Sequence, residues 1–138
     1  MMLAVSETVD GVPNPKYPPA IEGIFDGLFE AGHIVFDLGT GRALPPIEDL
    51  ADMARSGGAE YVLQAVIAFM IQPKEEGNEI EAVAEFSVIR AGNVKRLGGW
   101  TVSDTNKGRE KDMDLLKLGF ELGTLIAAKV NGIISSGG

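Results

Sequence analysis

Residues 37–41, Asp37-Leu38-Gly39-Thr40-Gly41, carry the segment most able to do chemistry. They follow the apolar run His33 to Phe36 and place two glycines at alternate positions after an acid. S-adenosylmethionine sites use such an acidic-x-Gly-x-Gly segment at a strand end. Glycine lets the backbone approach the ligand, and the N-terminus of the following helix faces it. Asp37, Gly39 and Gly41 are therefore the candidate cofactor-binding residues. Three features count against that use. Too little chain follows the loop for the large parallel sheet of such enzymes. The next apolar run ends Phe69-Met70-Ile71-Gln72, with no acid to hold a ribose. Pro45-Pro46 interrupts the passage from loop to helix. The same letters resemble a phosphate loop of actin-like ATPases, but that loop joins two strands and needs a second lobe. A lone glycine loop is a weak motif. The plainer reading is a strand end and a glycine turn, with no cofactor and no catalytic residue.

The other reactive side chains point the same way. His33 is the single histidine. As a base it would need an orienting partner and a nucleophile. Asp37 and Glu30 lie nearby in sequence, yet no Ser or Thr is paired with it, so a junction histidine bonded to backbone is expected. A zinc site would need more nitrogen or sulfur ligands than the chain offers. Glu75, Glu76, Glu79, Glu81 and Glu85 form an acidic cluster without the Asp/Asn pattern of a calcium loop. A solvated strand face that discourages edge pairing is expected there. Trp100 reads as a sheet-face aromatic before it reads as a ligand-stacking one. Gly119 and Gly123, four apart on a helix, are expected to let that helix lie close on the sheet.

Composition narrows the classes further. The 138 residues are the size of one domain. Hydrophobic residues make up 45%, which fits a packed core and argues against a disordered chain. The formal net charge is −8, and the cations are scattered. Nucleic acid and anionic membrane surfaces both call for a basic stripe and are not expected partners. There is no cysteine, which rules out disulfides, thiolate catalysis and a lipobox within this sequence. No signal peptide is visible, and no uncharged stretch reaches the ~18 residues of a membrane span.

The elements that must position these residues follow from periodicity. Residues 2–9 read as a strand, and the proline-rich 10–19 as a loop. Ile21, Ile24, Phe25, Leu28 and Phe29 recur at helical spacing up to Gly32. His33 to Leu38 reads as a second strand, and Pro46 to Arg55 as a second helix. Residues 59–72 are apolar on both faces, as in a central strand covered on both sides for part of its length. In 79–90, Ile80, Ala82, Ala84, Phe86 and Val88 share one face, and most glutamates take the other. A turn at Ala91-Gly92-Asn93 leads to a strand over 94–103. Residues 104–112 read as a charged loop, and Met113 to Ser135 as a long helix. The expected fold is α+β. It is one domain over 1–135, ordered β-α-β-α-β-β-β-α, with a mixed sheet, helices mainly on one face, and a flexible tail at 136–138.

That order resembles an α/β module of the bacterial envelope, found at the N-terminus of TolB, in the curli secretion lipoprotein CsgG and in the penicillin-binding-protein activator LpoB. The local likeness lies in Ala31-Gly32-His33-Ile34-Val35-Phe36 and in Gly58-Ala59-Glu60-Tyr61-Val62-Leu63-Gln64-Ala65. The resemblance covers most of the chain. It implies a non-catalytic, periplasmic assembly or docking part whose partner is another envelope protein or a second copy. The alternative expectation is a small cytosolic enzyme or nucleotide-binding domain built on the Asp37–Gly41 loop.

Overall fold

The structure is a computed structural model that describes residues 1–13, 18–37 and 44–137. Strand β1 (Met2–Val9) turns into the two-residue β2 (Val12–Pro13). Helix α1 (Pro19–Glu30), β3 (Phe36–Asp37) and helix α2 (Ile47–Ser56) follow. Three fourteen-residue strands come next: β4 (Tyr61–Lys74), β5 (Gly77–Arg90) and β6 (Lys95–Gly108). Helix α3 (Lys111–Gly137) ends the chain. The sheet runs β2-β1-β4-β5-β6, with β3 beside β1. β3 and β4 are both parallel to β1, while β5 and β6 are antiparallel additions. This is the expected mixed sheet of an α+β domain.

Chain handedness decides where the helices go. The path β1-α1-β3 steps one way across the sheet, and β3-α2-β4 steps back over β1. Parallel crossovers are right-handed, so two crossovers in opposite directions place their helices on opposite faces. α1 and α3 cover one face, enclosing Leu3, Val5, Leu63, Ile67, Phe69 and Phe86. α2 sits alone on the other, with Leu50, Ala51 and Ala54 over Met2, Ala4, Val62 and Ile89. β4 is covered on both sides only at its start. Further along, Val66 is 51% exposed and Met70 49%.

Several expectations shift. The strand expected over 33–38 is only Phe36–Asp37, because Gly32 and His33 donate their amides to Phe29 and Leu28 and close α1 instead; Leu38 lies outside the described residues. The expected loop after Val9 contains β2, paired to β1 through Thr8↔Pro13 and Val9↔Val12. Its turn, Asp10-Gly11, has φ of 50° and 80°, the left-handed pair that a two-residue hairpin requires. Residues 104–108, expected in a loop, continue β6 to Gly108 opposite Asn78. No residue of that extension is buried, so backbone pairing alone carries it. Helix α3 runs to Gly137, and the Ser136 hydroxyl donates to the Gly132 carbonyl. By length and composition α3 could also cross a membrane. Here its Leu118, Leu122, Ile126 and Val130 are core.

Gly119 and Gly123 do not meet the sheet. A Cβ at Gly123 would stand 2.1 Å from the Ala20 carbonyl oxygen, and one at Gly119 would stand 2.5 Å from Pro19. A Cβ at Gly23 on α1 would stand 2.4 Å from the Phe120 oxygen. The glycines press α3 against α1, so the two helices form one layer.

Candidate functional site

Asp37 ends β3, exposed at the sheet margin and paired in register with Leu3. Gly39 and Gly41, the other two candidate residues, lie outside the described residues. The helix that follows the loop has Pro46 at its N-cap position and Glu48 and Asp49 in its first turn. Those carboxylates already complement the helix dipole.

The remaining candidates are held in separate places. His33 Nε2 lies 3.0 Å from Asn131 Oδ1 and ties the α1–β3 junction to α3. The expected backbone partner is replaced by a side chain, a long-range contact that local spacing does not signal. Trp100 stacks on Phe86 with ring centroids 6.0 Å apart and stays 45% exposed. It is a sheet-face aromatic at the rim of the helix layer. Glu79 pairs with Lys74 at 3.6 Å near the β4–β5 hairpin. Glu81 and Glu85 are exposed on β5, opposite Met70 and Val66. Among the described residues no group of three or more His, Asp or Glu could hold a metal ion.

One carboxylate was missed by motif reasoning. Glu7 is 0% exposed, on the β1 face that carries Leu3 and Val5. Its Oε1 accepts the Ile21 amide at 3.1 Å. α1 has Pro18 at its N-cap position and makes no side-chain cap bond of its own, so Glu7 caps it from β1. Burial drives the Glu7 pKa up to about 7 from 4.5, against the lowering effect of the Ile21 and Ala20 amides; Glu22 adds a smaller upward push. The signal was present in the alternation Leu3, Val5, Glu7, Val9, which places an acid on a core face.

A concavity lies on the α2 face of the sheet. It is a groove of about 620 Å³ between Ile47 of α2 and the open ladder of Gln64, Val66, Glu85, Ser87 and Thr101. Its lining mixes apolar Ile47 and Val66 with neutral Gln64, Ser87 and Thr101 and the opposite charges of Glu85 and Arg96.

No family model matches the chain, and no curated protein sequence matches it. Solved structures do. The protein CT253 from Chlamydia trachomatis is similar over 99% of both chains, with a TM-score of 0.59 and 15% identity. Lipoprotein GNA1162 from Neisseria meningitidis is similar over 97% of both chains, with a TM-score of 0.54 and 16% identity. PelC from Paraburkholderia phytofirmans, a dodecamer, is similar over 91% of this chain and 84% of its own, with a TM-score of 0.58 and 16% identity. At these identities the likeness is one of fold: the chain has the α/β fold of these bacterial proteins, a lipoprotein among them.

Proposed function

We propose that the chain is a non-catalytic protein-interaction or assembly module of the bacterial envelope, acting in the periplasm and akin to the TolB N-terminal, CsgG and LpoB modules. The observation that carries the reading is how the structure spends its reactive side chains. His33 is bonded to Asn131, Trp100 is stacked on Phe86, Glu79 is paired with Lys74, and Glu7 caps α1. Each serves the scaffold, and what the scaffold presents outward is a surface. Fold likeness to lipoprotein GNA1162 over nearly the whole of both chains supports the envelope setting.

The test uses the gene product expressed from its natural start in its own host, with photo-crosslinking residues at exposed positions on both sheet faces. The expected result is recovery in the periplasmic or membrane fraction, with a cross-link to a second polypeptide. Recovery in the cytosol, or no cross-link from any position, overturns the reading. A second reading, self-association, is favoured by the likeness to the PelC dodecamer. It is tested by light scattering on the purified chain, where a single monomer mass at all concentrations rejects it.

A further inference from the structure

We infer that Glu7 is a pH-sensitive latch, which holds the first turn of α1 on β1 when protonated and releases it when ionised. Glu7 is fully buried on the β1 face that carries Leu3 and Val5. Its Oε1 accepts the Ile21 amide at 3.1 Å, and the Ala20 amide also acts on the carboxyl group. Its Oε2 is buried without a hydrogen-bond partner. A neutral acid leaves one hydroxyl unmatched there; a carboxylate leaves charge unmatched, which costs far more. The turn has no side-chain cap of its own, since Pro18 occupies the N-cap position, and Pro19 has no amide to give. The bond from the Glu22 amide to the Pro18 carbonyl is 3.2 Å, at the long end of the ordinary range. Among the described residues, the one charge that acts on Glu7 is Glu22, on the same turn and of the same sign. β4 sets the apolar Ile67 beside it in register, and β2 pairs Val12 and Pro13 with Val9 and Thr8. Asp10, past the end of β1, is exposed and accepts the Ile71 amide. At this level α3 brings Gly119 and Gly123 against the turn, while its Lys117 and Glu121 are exposed.

The direction of the switch follows from linkage. Burial holds the Glu7 pKa at about 7, against 4.5 for the hydrated group. Lifting the first turn hydrates Glu7 and returns it to the lower value. The opening is then independent of pH below 4.5, grows as pH rises, and levels off above 7. The full change in the opening equilibrium is roughly 300-fold, and between pH 5 and pH 8 it is roughly 70-fold. The opening stays local. It takes Ala20 and Ile21 out of the core, whereas Leu63, Ile67 and Phe69 of β4 keep their places in it. Proteins open in such sub-global units, and poorly capped ends open first. The movement also reaches α3. Pro19 and Ala20 pack directly on Gly119 and Gly123, so the turn lifts only by parting that end of the helix layer. The chain thus keeps that end closed in acid and opens it more often at neutral pH. The latch is independent of the partner proposed above.

The test uses the full chain, isotope-labelled, and nuclear magnetic resonance. The carboxyl carbon of Glu7 should titrate near pH 7, a measurement that needs no variant. Hydrogen exchange of the Ile21 amide is followed from pH 5 to pH 8 and corrected for the intrinsic rate. Its protection should fall roughly 70-fold over that range. Low concentrations of urea should hardly change it, because a local opening exposes little surface. The Leu63 amide, which waits for global unfolding, should respond steeply to the same urea. Glu7→Gln keeps an acceptor for the Ile21 amide and cannot ionise, so its Ile21 protection should stay level with pH. Glu22→Gln, at an exposed position, should leave the fall in place. A Glu7 carbon that titrates below pH 5, or Ile21 protection in the parent that is level with pH, would overturn the inference. So would a urea response at Ile21 equal to that at Leu63, which would mean that only global unfolding hydrates Glu7. A fall that persists in Glu7→Gln or vanishes in Glu22→Gln would assign the titration to another group. If Glu7→Gln fails to fold, the carboxyl titration and the urea response of the parent decide.

Discussion

At the scale of single residues, Glu7 has the clearest measurable consequence. Its folded-state pKa is raised to about 7 from 4.5. The folded state therefore binds this proton more tightly than the unfolded state, and the sign follows by linkage. Below pH 4.5 both states are protonated and Glu7 imposes no penalty. As pH rises from 4.5 to 7, the unfolded chain ionises first and stability falls. Above 7 the deficit is complete, at about 3 kcal/mol from the shift alone. Glu7→Gln keeps an acceptor for the Ile21 amide and removes the titration. Denaturant unfolding at pH 5 and pH 8 should show the variant gaining about 2.5 kcal/mol relative to the parent between the two, since part of the penalty is already present at pH 5. The other carboxylates titrate in both proteins and cancel in that difference. A difference that does not change with pH would mean that Glu7 ionises freely and is not the buried cap described here.

At the scale of elements, the glycine contact between α1 and α3 sets the helix layer. Gly123→Ala would push a Cβ into the Ala20 oxygen and the Ile24 nitrogen, 2.1 and 2.8 Å away. Both atoms are backbone, so the helices must separate. Overpacking of this kind costs typically ~1–3 kcal/mol, more than the up to ~1 kcal/mol that Ala gains over Gly in a helix. Gly132 on the same helix has nothing within 4 Å of its would-be Cβ. Gly132→Ala should then stabilise by up to ~1 kcal/mol. Thermal unfolding of the two variants should move in opposite directions, and a stabilised Gly123→Ala would refute the close contact. The spacing Gly119-x-x-x-Gly123 marked a close approach but not its partner. Periodicity along one segment cannot say whether a sheet or another helix lies opposite. The same limit explains β6. Alternation identified β5 because one of its faces is buried, whereas no residue of 104–108 is buried and the segment follows its neighbour through backbone bonds. The hairpin at Asp10-Gly11 was legible, since Asp-Gly is a two-residue turn signal, but the prolines after it argued for a loop. Of the candidate site, the exposed acids on β5 followed from alternation. The groove beside them did not, because it depends on which face α2 takes, and that is set by the order of strands in the sheet.

At the scale of the whole molecule, the two faces of the sheet are unequal, and stability should be divided between them in the same way. The α1–α3 face holds the larger core, from Leu3 and Phe69 through Phe86 to Ile126 and Val130. The α2 face holds a small one, in which Leu50 and Ala51 are the centre of a short helix. Opening of the α2 corner exposes little apolar surface, and at ~25 cal/mol per Å² its cost is a small part of the total. Proteins open locally in units of this kind, with free energies below that of global unfolding. Native-state hydrogen exchange should therefore find the amides of Leu50 and Ala51 released by a sub-global opening, while those of Leu63, Ala65 and Ala84 wait for global unfolding. Leu50→Ala should speed exchange in α2 by an order of magnitude or more, since a buried Leu→Ala change costs ~2–5 kcal/mol. It should leave the slowest amides of β4 and β5 less affected, because the larger core lies on the far side of the sheet. The same opening would lengthen the groove toward Val62 and Ile89, which α2 buries when it is in place. Uniform protection across α2, β4 and β5 would show instead that the molecule opens only as one unit. The area available on the α2 face would then be limited to what stands exposed beyond Ile47.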